Sequence, residues 1–251
     1  MLNRNYLRAI ELYEMPPEDS YLHNLPVVKN LEKIGSLTFN APVTFLVGEN
    51  GTGKSTLLEA IAVAVGFNPE GGGRNFTFST SDSHSKLWKY IETLKSVTPK
   101  DGYFLRAESL YNLASNIDEM DESPSFDPPV ISSYGGVSLH KQSHGESFLS
   151  LIQNRLRGNG LYILDEPEAA LSPMRLLTLI SELDRLVNNN SQIIIATHSP
   201  ILMAYPDAEI IELTDNGICK KDYFDTEHFK ITKQFLDNPQ RMIKYLLEND
   251  D

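Results

Sequence analysis

Cysteine and long apolar runs are the two features that this sequence has least of. The 251 residues include a single cysteine, Cys219, which excludes an internal disulfide framework and predicts a reducing, cytoplasmic location. No apolar run approaches the ~18 residues that a membrane-spanning helix needs. The first six residues also lack the apolar stretch of a secretory signal. We therefore expect a protein that works without a membrane.

Positive charge is also scarce. Lysine and arginine number 22 against 34 aspartates and glutamates, so the formal net charge is −12. The average surface therefore repels DNA, and general nucleic-acid binding is disfavoured, although a local basic groove would still allow it. The length suits one α/β domain or two small ones. Motifs that extend to about residue 200 favour a single domain over residues 1–251.

A glycine-rich segment follows the short β-branched run Val43–Val47, which we predict to be a buried strand. The segment fits the Walker A pattern G-x-x-x-x-G-K-[ST] and reads Gly48, Glu49, Asn50, Gly51, Thr52, Gly53, Lys54, Ser55. Its glycines allow several backbone N–H groups to face one set of phosphate oxygens, and the helix predicted from Lys54 adds its positive N-terminus. Lys54 is expected to reach the β- and γ-phosphates, Ser55 to bind Mg²⁺, and Thr56 to donate to the α-phosphate.

Two further predicted strands also end in residues that could take part in chemistry. Leu161–Leu164 leads into Asp165 and Glu166, a Walker B arrangement. Asp165 is expected to bind Mg²⁺ or to accept from a Mg²⁺-bound water, and Glu166 to polarise an attacking water. Gln192–Ala196 leads into His198. Ligands of open α/β sheets bind at the carboxyl ends of strands, so His198 is expected to reach the γ-phosphate or to hold Glu166 and its water. The alternative for His198 is an ordinary, satisfied polar residue at a strand end.

Together these motifs resemble the ABC ATPases, which implies ATP and Mg²⁺ as ligands. The family carries a signature, LSGGQ, at the place where this chain has Gln142–Glu146. Ser143 and Gly145 match that signature, whereas His144 and Glu146 depart from it. The resemblance implies that Ser143 and Gly145 of one subunit touch the γ-phosphate bound by a second subunit. The alternative is a plain helix N-cap by Ser143 with Glu146 in a capping box, and both can hold together.

Other segments extend the resemblance less closely. Residues 167–173 resemble the family's dimer-contacting loop, with Ser172 in place of an aspartate. Glu108 is the candidate for the polar residue that senses Mg²⁺, although a surface glutamate is an equal alternative. The sequence around Ser143 and Asp165 is more similar to the soluble branch that includes SMC and RecF proteins than to transporter subunits.

The resemblance implies an α/β fold of the P-loop NTPase class: a mostly parallel central sheet flanked by helices, with an N-terminal antiparallel β portion. We predict a helical and loop insert over residues 82–142. Within it we expect a helix over Ser83–Lys95 and an acidic, mobile loop over Asp118–Pro129. Residues 207–251 are predicted to form a C-terminal hairpin and helices.

The predicted function is ATP hydrolysis by a homodimer that closes around nucleotide and drives an unknown protein partner. Three alternatives stay open. A P-loop kinase would pass phosphate to a small molecule. A regulatory module would bind ATP without turnover, and the departures at His144, Ser172 and Glu108 keep it open. A transporter subunit would copurify with a membrane protein.

Overall fold

The computed structural model describes residues 5–73, 85–122 and 128–248. The strands, in chain order, are β1 (Leu7–Leu12), β2 (Ser36–Thr38), β3 (Val43–Val47), β4 (Ile91–Lys95), β5 (Asp101–Arg106), β6 (Gly160–Asp165), β7 (Gln192–Ala196), β8 (Glu209–Leu213) and β9 (Ile218–Lys221). The helices are α1 (Pro26–Ile34), α2 (Lys54–Ala64), α3 (Leu110–Glu122), α4 (His144–Arg155), α5 (Pro173–Asn188), α6 (Pro200–Met203), α7 (Glu227–Asp237) and α8 (Pro239–Glu248). None of the helices in the described ranges is both long and apolar enough to cross a membrane.

The strands form two sheets. The central sheet has six strands in the order β5-β6-β7-β3-β8-β9; all neighbours are parallel except the β8–β9 hairpin. The second sheet has three antiparallel strands in the order β2-β1-β4. The predicted α/β fold, with a mostly parallel sheet and an N-terminal antiparallel portion, is confirmed.

The central sheet separates two apolar cores. Its middle strands, β3, β6 and β7, are buried along their whole length. Side chains of a strand alternate between faces, so Phe45 and Ile195 pack with α3, α4 and α5, whereas Leu46 and Ile194 pack with α1, α2 and the small sheet. Burial on both faces explains why these strands are continuous apolar runs.

One buried side chain ties the two sheets together. Gln192, at the start of β7, accepts from the Leu7 N–H and donates to the Leu7 carbonyl, each over 2.8 Å. At the start of β1, the Gln192 amide thereby makes the two backbone hydrogen bonds that a neighbouring strand would otherwise make. Gln192 is only 1% exposed, so water cannot replace these bonds.

The predicted insert over residues 82–142 required correction. Residues 83–84 lie outside the described residues, and the remainder of the predicted helix is a 3-10 turn, Lys86–Lys89, followed by β4. Antiparallel pairing with β1 overrides the helical pattern there. β5 belongs to the same range and forms an edge of the central sheet, so the range is not an insert of helices and loops alone.

The acidic loop predicted over Asp118–Pro129 was also wrong in its first part, which is the last part of α3. An apolar stripe of Leu110, Leu113, Ala114 and Ile117 buries one face of this helix. Residues 123–127 lie outside the described residues. The acidic side chains have structural partners, since the Asp121 carboxylate accepts from two backbone N–H groups of the 3-10 turn at Val130–Tyr134.

Within residues 207–248 the structure has the hairpin β8–β9 and two helices, α7 and α8. Neither of these two helices contains a buried residue. The start of α7 is fixed by Thr226, which is fully buried, caps the helix through Phe229 N–H and donates to the Tyr223 carbonyl. Tyr223 packs against the core that lies between the central sheet and helices α3, α4 and α5.

Replacing Gln192 with leucine should leave two buried polar groups of Leu7 unpaired. We expect Gln192→Leu to lower the free energy of unfolding by about 2–4 kcal/mol, measured by urea denaturation. Gln153→Leu is the matched control, because Gln153 is exposed and its side-chain amide donates to the Glu182 carboxylate. That control should change stability by less than about 0.5 kcal/mol. Equal losses in both variants would contradict the structural role of Gln192.

Candidate functional site

The phosphate loop connects β3 to α2 and curls through three glycines with positive φ, Gly48 at 142°, Gly51 at 86° and Gly53 at 96°. A Cβ at Gly48 would lie 2.1 Å from the Leu213 carbonyl oxygen, and one at Gly53 would lie 2.4 Å from Val27 Cγ1. Only glycine therefore fits at these two positions. The sequence places glycine where β8 and α1 press against the loop.

Lys54 lies at the first position of α2 and is 4% exposed. Its ammonium group donates to the carbonyls of Gly48 and Glu49, at 2.8 and 2.9 Å, so it folds back across the mouth of the loop. Burial lowers the pKa of Lys54, and the carboxylates of Glu166 and Asp165 oppose that shift. The loop thus holds a buried cation directed at its own centre, where an anion would bind.

Asp165 ends β6 inside the site. It accepts a hydrogen bond from Ser55, and burial raises the pKa of its carboxyl to about 6 despite the charge of Arg106. Its Oδ1 atom is buried and has no hydrogen-bond partner in the described part of the chain. A hydroxyl and a carboxylate with a vacant oxygen are the ligands that Mg²⁺ takes from proteins. The residues present therefore fit this ion.

Arg106, at the end of β5, contacts three carboxylates. It lies 2.8 Å from Glu59, 2.6 Å from Glu108 and 3.4 Å from Asp165. Glu108 remains 74% exposed and reaches the site through this ion pair, so its role as a Mg²⁺ sensor stays a prediction. Sequence reasoning missed Glu59, which α2 carries one turn beyond Ser55 and which is 7% exposed.

Glu166 follows β6 with a backbone conformation that only a few per cent of non-glycine residues adopt. Its φ is 47°, and its N–H donates to the Ala196 carbonyl over 3.0 Å. This turn leaves the carboxylate 44% exposed beside the phosphate loop, 3.9 Å from His198 Nε2. Strained non-glycine residues of this kind cluster at functional sites.

Two residues that sequence reasoning did not connect with His198 hold it in place. The Glu168 carboxylate accepts from the His198 backbone N–H. His228, on α7, lies with its Nε2 atom 3.0 Å from His198 Nδ1. Burial lowers the pKa of both histidines, and Lys54 lowers that of His198 further. No local sequence pattern identifies either partner, because both contacts join distant segments.

Around the phosphate loop lie two cavities. One, of about 210 Å³, is lined by Asn50, Gly51, Gly53, Lys54, Ser55, Thr56, Glu166 and Leu25. The second, of about 320 Å³, lies between Gly48–Thr52, the β8–β9 turn and the start of α7. The strand ends therefore bring Lys54, Ser55, Asp165, Glu166 and His198 to one place.

Ser143 and Gly145 lie at the N-terminus of α4. Their contacts are with residues of α4, α5 and the segment before α5, and not with the phosphate loop or the ends of β6 and β7. The Glu146 carboxylate accepts from the N–H of Ser143, as a capping box requires, and also from the Ser143 hydroxyl. Arg175 of α5 lies 3.0 Å from Glu146 and donates to the Ser143 hydroxyl. A Cβ at Gly145 would lie 2.9 Å from the Ala170 carbonyl oxygen, so close packing also accounts for this glycine. Ser143 itself is exposed.

Comparison with protein families gives two matches, each shorter than half of the chain. A model described as "AAA domain" matches residues 22–119, which include the phosphate loop. A second, described as "AAA domain, putative AbiEii toxin, Type IV TA system", matches residues 147–204, which include Asp165, Glu166 and His198.

Among curated proteins, the "Retron Vc95 probable ATPase" of Vibrio cholerae serotype O1 biovar El Tor is 27% identical over 123 residues. The match covers 42% of this chain and spans about a quarter, 24%, of that protein.

Solved structures match over nearly the whole chain. The cbiO1 protein of Clostridium perfringens, part of the ABC transporter complex cbiONQ, aligns with a TM-score of 0.54 and 19% identity, over 97% of this chain and 99% of that one. An ATP-binding cassette of an ABC transporter, MJ1267, aligns with a TM-score of 0.51 and 17% identity, over 96% and 98% of the two chains. Likeness at this identity establishes the fold.

The raised pKa of Asp165 predicts that the free energy of unfolding depends on pH. The folded protein holds this proton more tightly than the unfolded chain, so the parent loses stability as the pH rises from about 4 through about 6. An asparagine does not titrate. In metal-free buffer, the gain in unfolding free energy of Asp165→Asn over the parent should be larger at pH 7.5 than at pH 4.5 by about 2 kcal/mol. Urea denaturation at both pH values measures it, and an equal difference at both would contradict the shift.

Proposed function

We propose that the chain is a P-loop ATPase of the ABC type and that it hydrolyses ATP to ADP and phosphate between two copies of itself. One observation supports this proposal most directly. The ends of β3, β6 and β7 place a buried lysine, a buried aspartate, an exposed glutamate and a histidine around one glycine-rich loop. A lysine that neutralises phosphate charge, a carboxylate that holds a metal ion and a residue that orients water are the parts that water attack on a bound triphosphate commonly uses.

Lys54 exchanges its present partners when ATP binds. Its ammonium group now donates to two loop carbonyls and is positioned to donate to the β- and γ-phosphates instead. The backbone N–H groups of Gly51–Thr56 and the N-terminus of α2 surround the same space and favour negative charge there.

Ser55 and Asp165 would hold Mg²⁺, which when bound supplies positive charge to the phosphate oxygens. In the structure, Arg106 is paired with the carboxylates of Glu59, Glu108 and Asp165. The single guanidinium cannot neutralise three carboxylates. The remaining negative charge favours a divalent cation at Asp165.

Glu166 orients the attacking water. Its side chain is accessible and lines the same cavity as Lys54. A water bound to this carboxylate could therefore lie in line with the γ-phosphorus. The water oxygen bonds to the γ-phosphorus and gives a proton to Glu166, while the bond from the γ-phosphorus to the bridging oxygen breaks, so the products are ADP and inorganic phosphate. His198 stands 3.9 Å from Glu166 and can donate to the γ-phosphate from Nε2.

Ser143 and Gly145 of a second copy complete the site in this proposal. Both lie at the N-terminus of α4, where the Ser143 hydroxyl is exposed. Glu146 stands where the family signature has a neutral glutamine, and its negative charge would repel a phosphate at this position. Arg175 compensates, because it pairs with Glu146 at 3.0 Å and contacts the Ser143 hydroxyl.

The closed dimer therefore depends on the γ-phosphate and opens when hydrolysis removes it. We propose that this cycle drives an unidentified protein partner in the cell. A chain that binds ATP without turnover is the second candidate, supported by the departures at His144, Ser172 and Glu108. A steady-state phosphate assay separates the two.

Turnover should depend on the proposed residues. Glu166→Gln is expected to lower kcat for phosphate release at least about 100-fold while ATP binding persists, because the water loses its base. Lys54→Ala should lose ATP binding in calorimetry. Glu32→Gln changes an exposed glutamate of α1 and should keep kcat within about twofold of the parent. Absence of phosphate release by the parent would favour the binding module.

The Glu166→Gln protein should also accumulate as a closed dimer. With ATP and Mg²⁺, light scattering should give twice the 28.2 kDa mass of the chain, and without nucleotide the mass of one chain. Adding Ser143→Arg to the same protein should prevent the dimer but leave ATP binding, because Ser143 serves the partner's nucleotide. A monomer under all conditions would exclude the two-subunit mechanism.

A further inference from the structure

The helix α7 reaches the nucleotide site through one side chain. His228, its second residue, places Nε2 at 3.0 Å from His198 Nδ1, with the two rings 5.1 Å apart between centroids. The start of α7 also borders the cavity beside Gly48–Thr52. Thr226, two residues earlier, is fully buried and caps the helix, so it positions His228 whenever α7 is docked.

A hydrogen bond between two imidazoles needs one N–H and one bare nitrogen. The lowered pKa of both residues favours neutral rings, so two arrangements are possible. In the first, His228 Nε2–H donates to His198 Nδ1, and His198 carries its proton on Nε2. In the second, His198 donates from Nδ1 and its Nε2 is bare.

The surroundings of His198 Nε2 favour the first arrangement. This atom is buried, lacks a hydrogen-bond partner among the residues that the structure describes, and lies 3.9 Å from the Glu166 carboxylate. A bare nitrogen would present its lone pair to that carboxylate, whereas an N–H would be attracted to it. A γ-phosphate, which is also anionic, would need the same N–H.

We infer that His228 is a positioning residue: it holds His198 in the tautomer that carries its proton on Nε2, and so makes a donor available to the γ-phosphate. The inference rests on the proposed function, and it gives α7 an indirect part in that function, through His198. His228 itself does not touch the nucleotide. Its effect passes through the orientation and tautomer of His198.

Nitrogen-15 NMR of the His198 ring tests the tautomer without ATP, with His198→Gln identifying the signals. The parent should show a protonated Nε2 and a bare Nδ1. His228→Phe keeps an aromatic ring but removes the donor, so the His198 signals should shift toward the Nδ1–H form. Lys233→Ala, at an exposed ion pair on α7, is the control and should leave the signals unchanged.

Kinetics test the consequence. His228→Phe should lower kcat about tenfold with the KM for ATP within about twofold, since ground-state binding is kept. His228→Gln places an amide N–H near the position of Nε2 and should keep most of kcat, whereas His228→Asn places it near Nδ1 and should not. This pair decides the matter if the phenylalanine variant fails to fold.

Two results would overturn the inference: a parent His198 protonated on Nδ1, or a folded His228→Phe protein with unchanged His198 signals and unchanged kcat. A parent that binds but never hydrolyses ATP would instead defeat the proposed function. The nitrogen signals would then still decide whether His228 sets the tautomer.

Discussion

The parallel hydrogen-bond ladder through β6, β7 and β3 is the interaction on which the site depends. It continues past the strands, where Glu166 N–H donates to the Ala196 carbonyl and Thr197 N–H donates to the Leu46 carbonyl. These bonds fix the chain directions that follow each strand, so the loop, the carboxylates and the histidine share one edge of the sheet. A shift of one residue in register would turn every side chain of a strand to the opposite face.

Charge is concentrated at this edge at a cost to the folded protein. Lys54, Asp165 and Glu59 are each less than 10% exposed, and the Glu168 side chain is largely buried. Burial of charges is expensive unless they pair, and here Arg106 gives partial compensation. The part of the burial cost that pairing does not offset is seen in the shifted pKa values of Lys54 and Asp165, since burial opposes the charged form of both. Binding of an anion and a divalent cation would relieve both penalties together.

Much of the architecture could be predicted from sequence because it follows from local patterns. The apolar runs of β3, β6 and β7, and the glycines of the phosphate loop, express requirements of backbone and burial that adjacent residues reveal. β4 could not be predicted, since its conformation depends on pairing with β1. The end of α3 was concealed by acidic residues that face outward from a buried apolar stripe. Glu59, Arg106 and His228 take their roles from contacts between segments far apart in the chain, which no spacing encodes.

Helices α7 and α8 have no buried residue, yet one of them contacts the site. Segments with so little buried surface open locally at a free energy far below that of global unfolding, and their amide hydrogens exchange through those openings. Each opening of α7 separates His228 from His198 while the sheet stays intact. The fraction of time that this helix spends undocked is therefore an equilibrium that a ligand of the C-terminal surface can shift without touching the nucleotide.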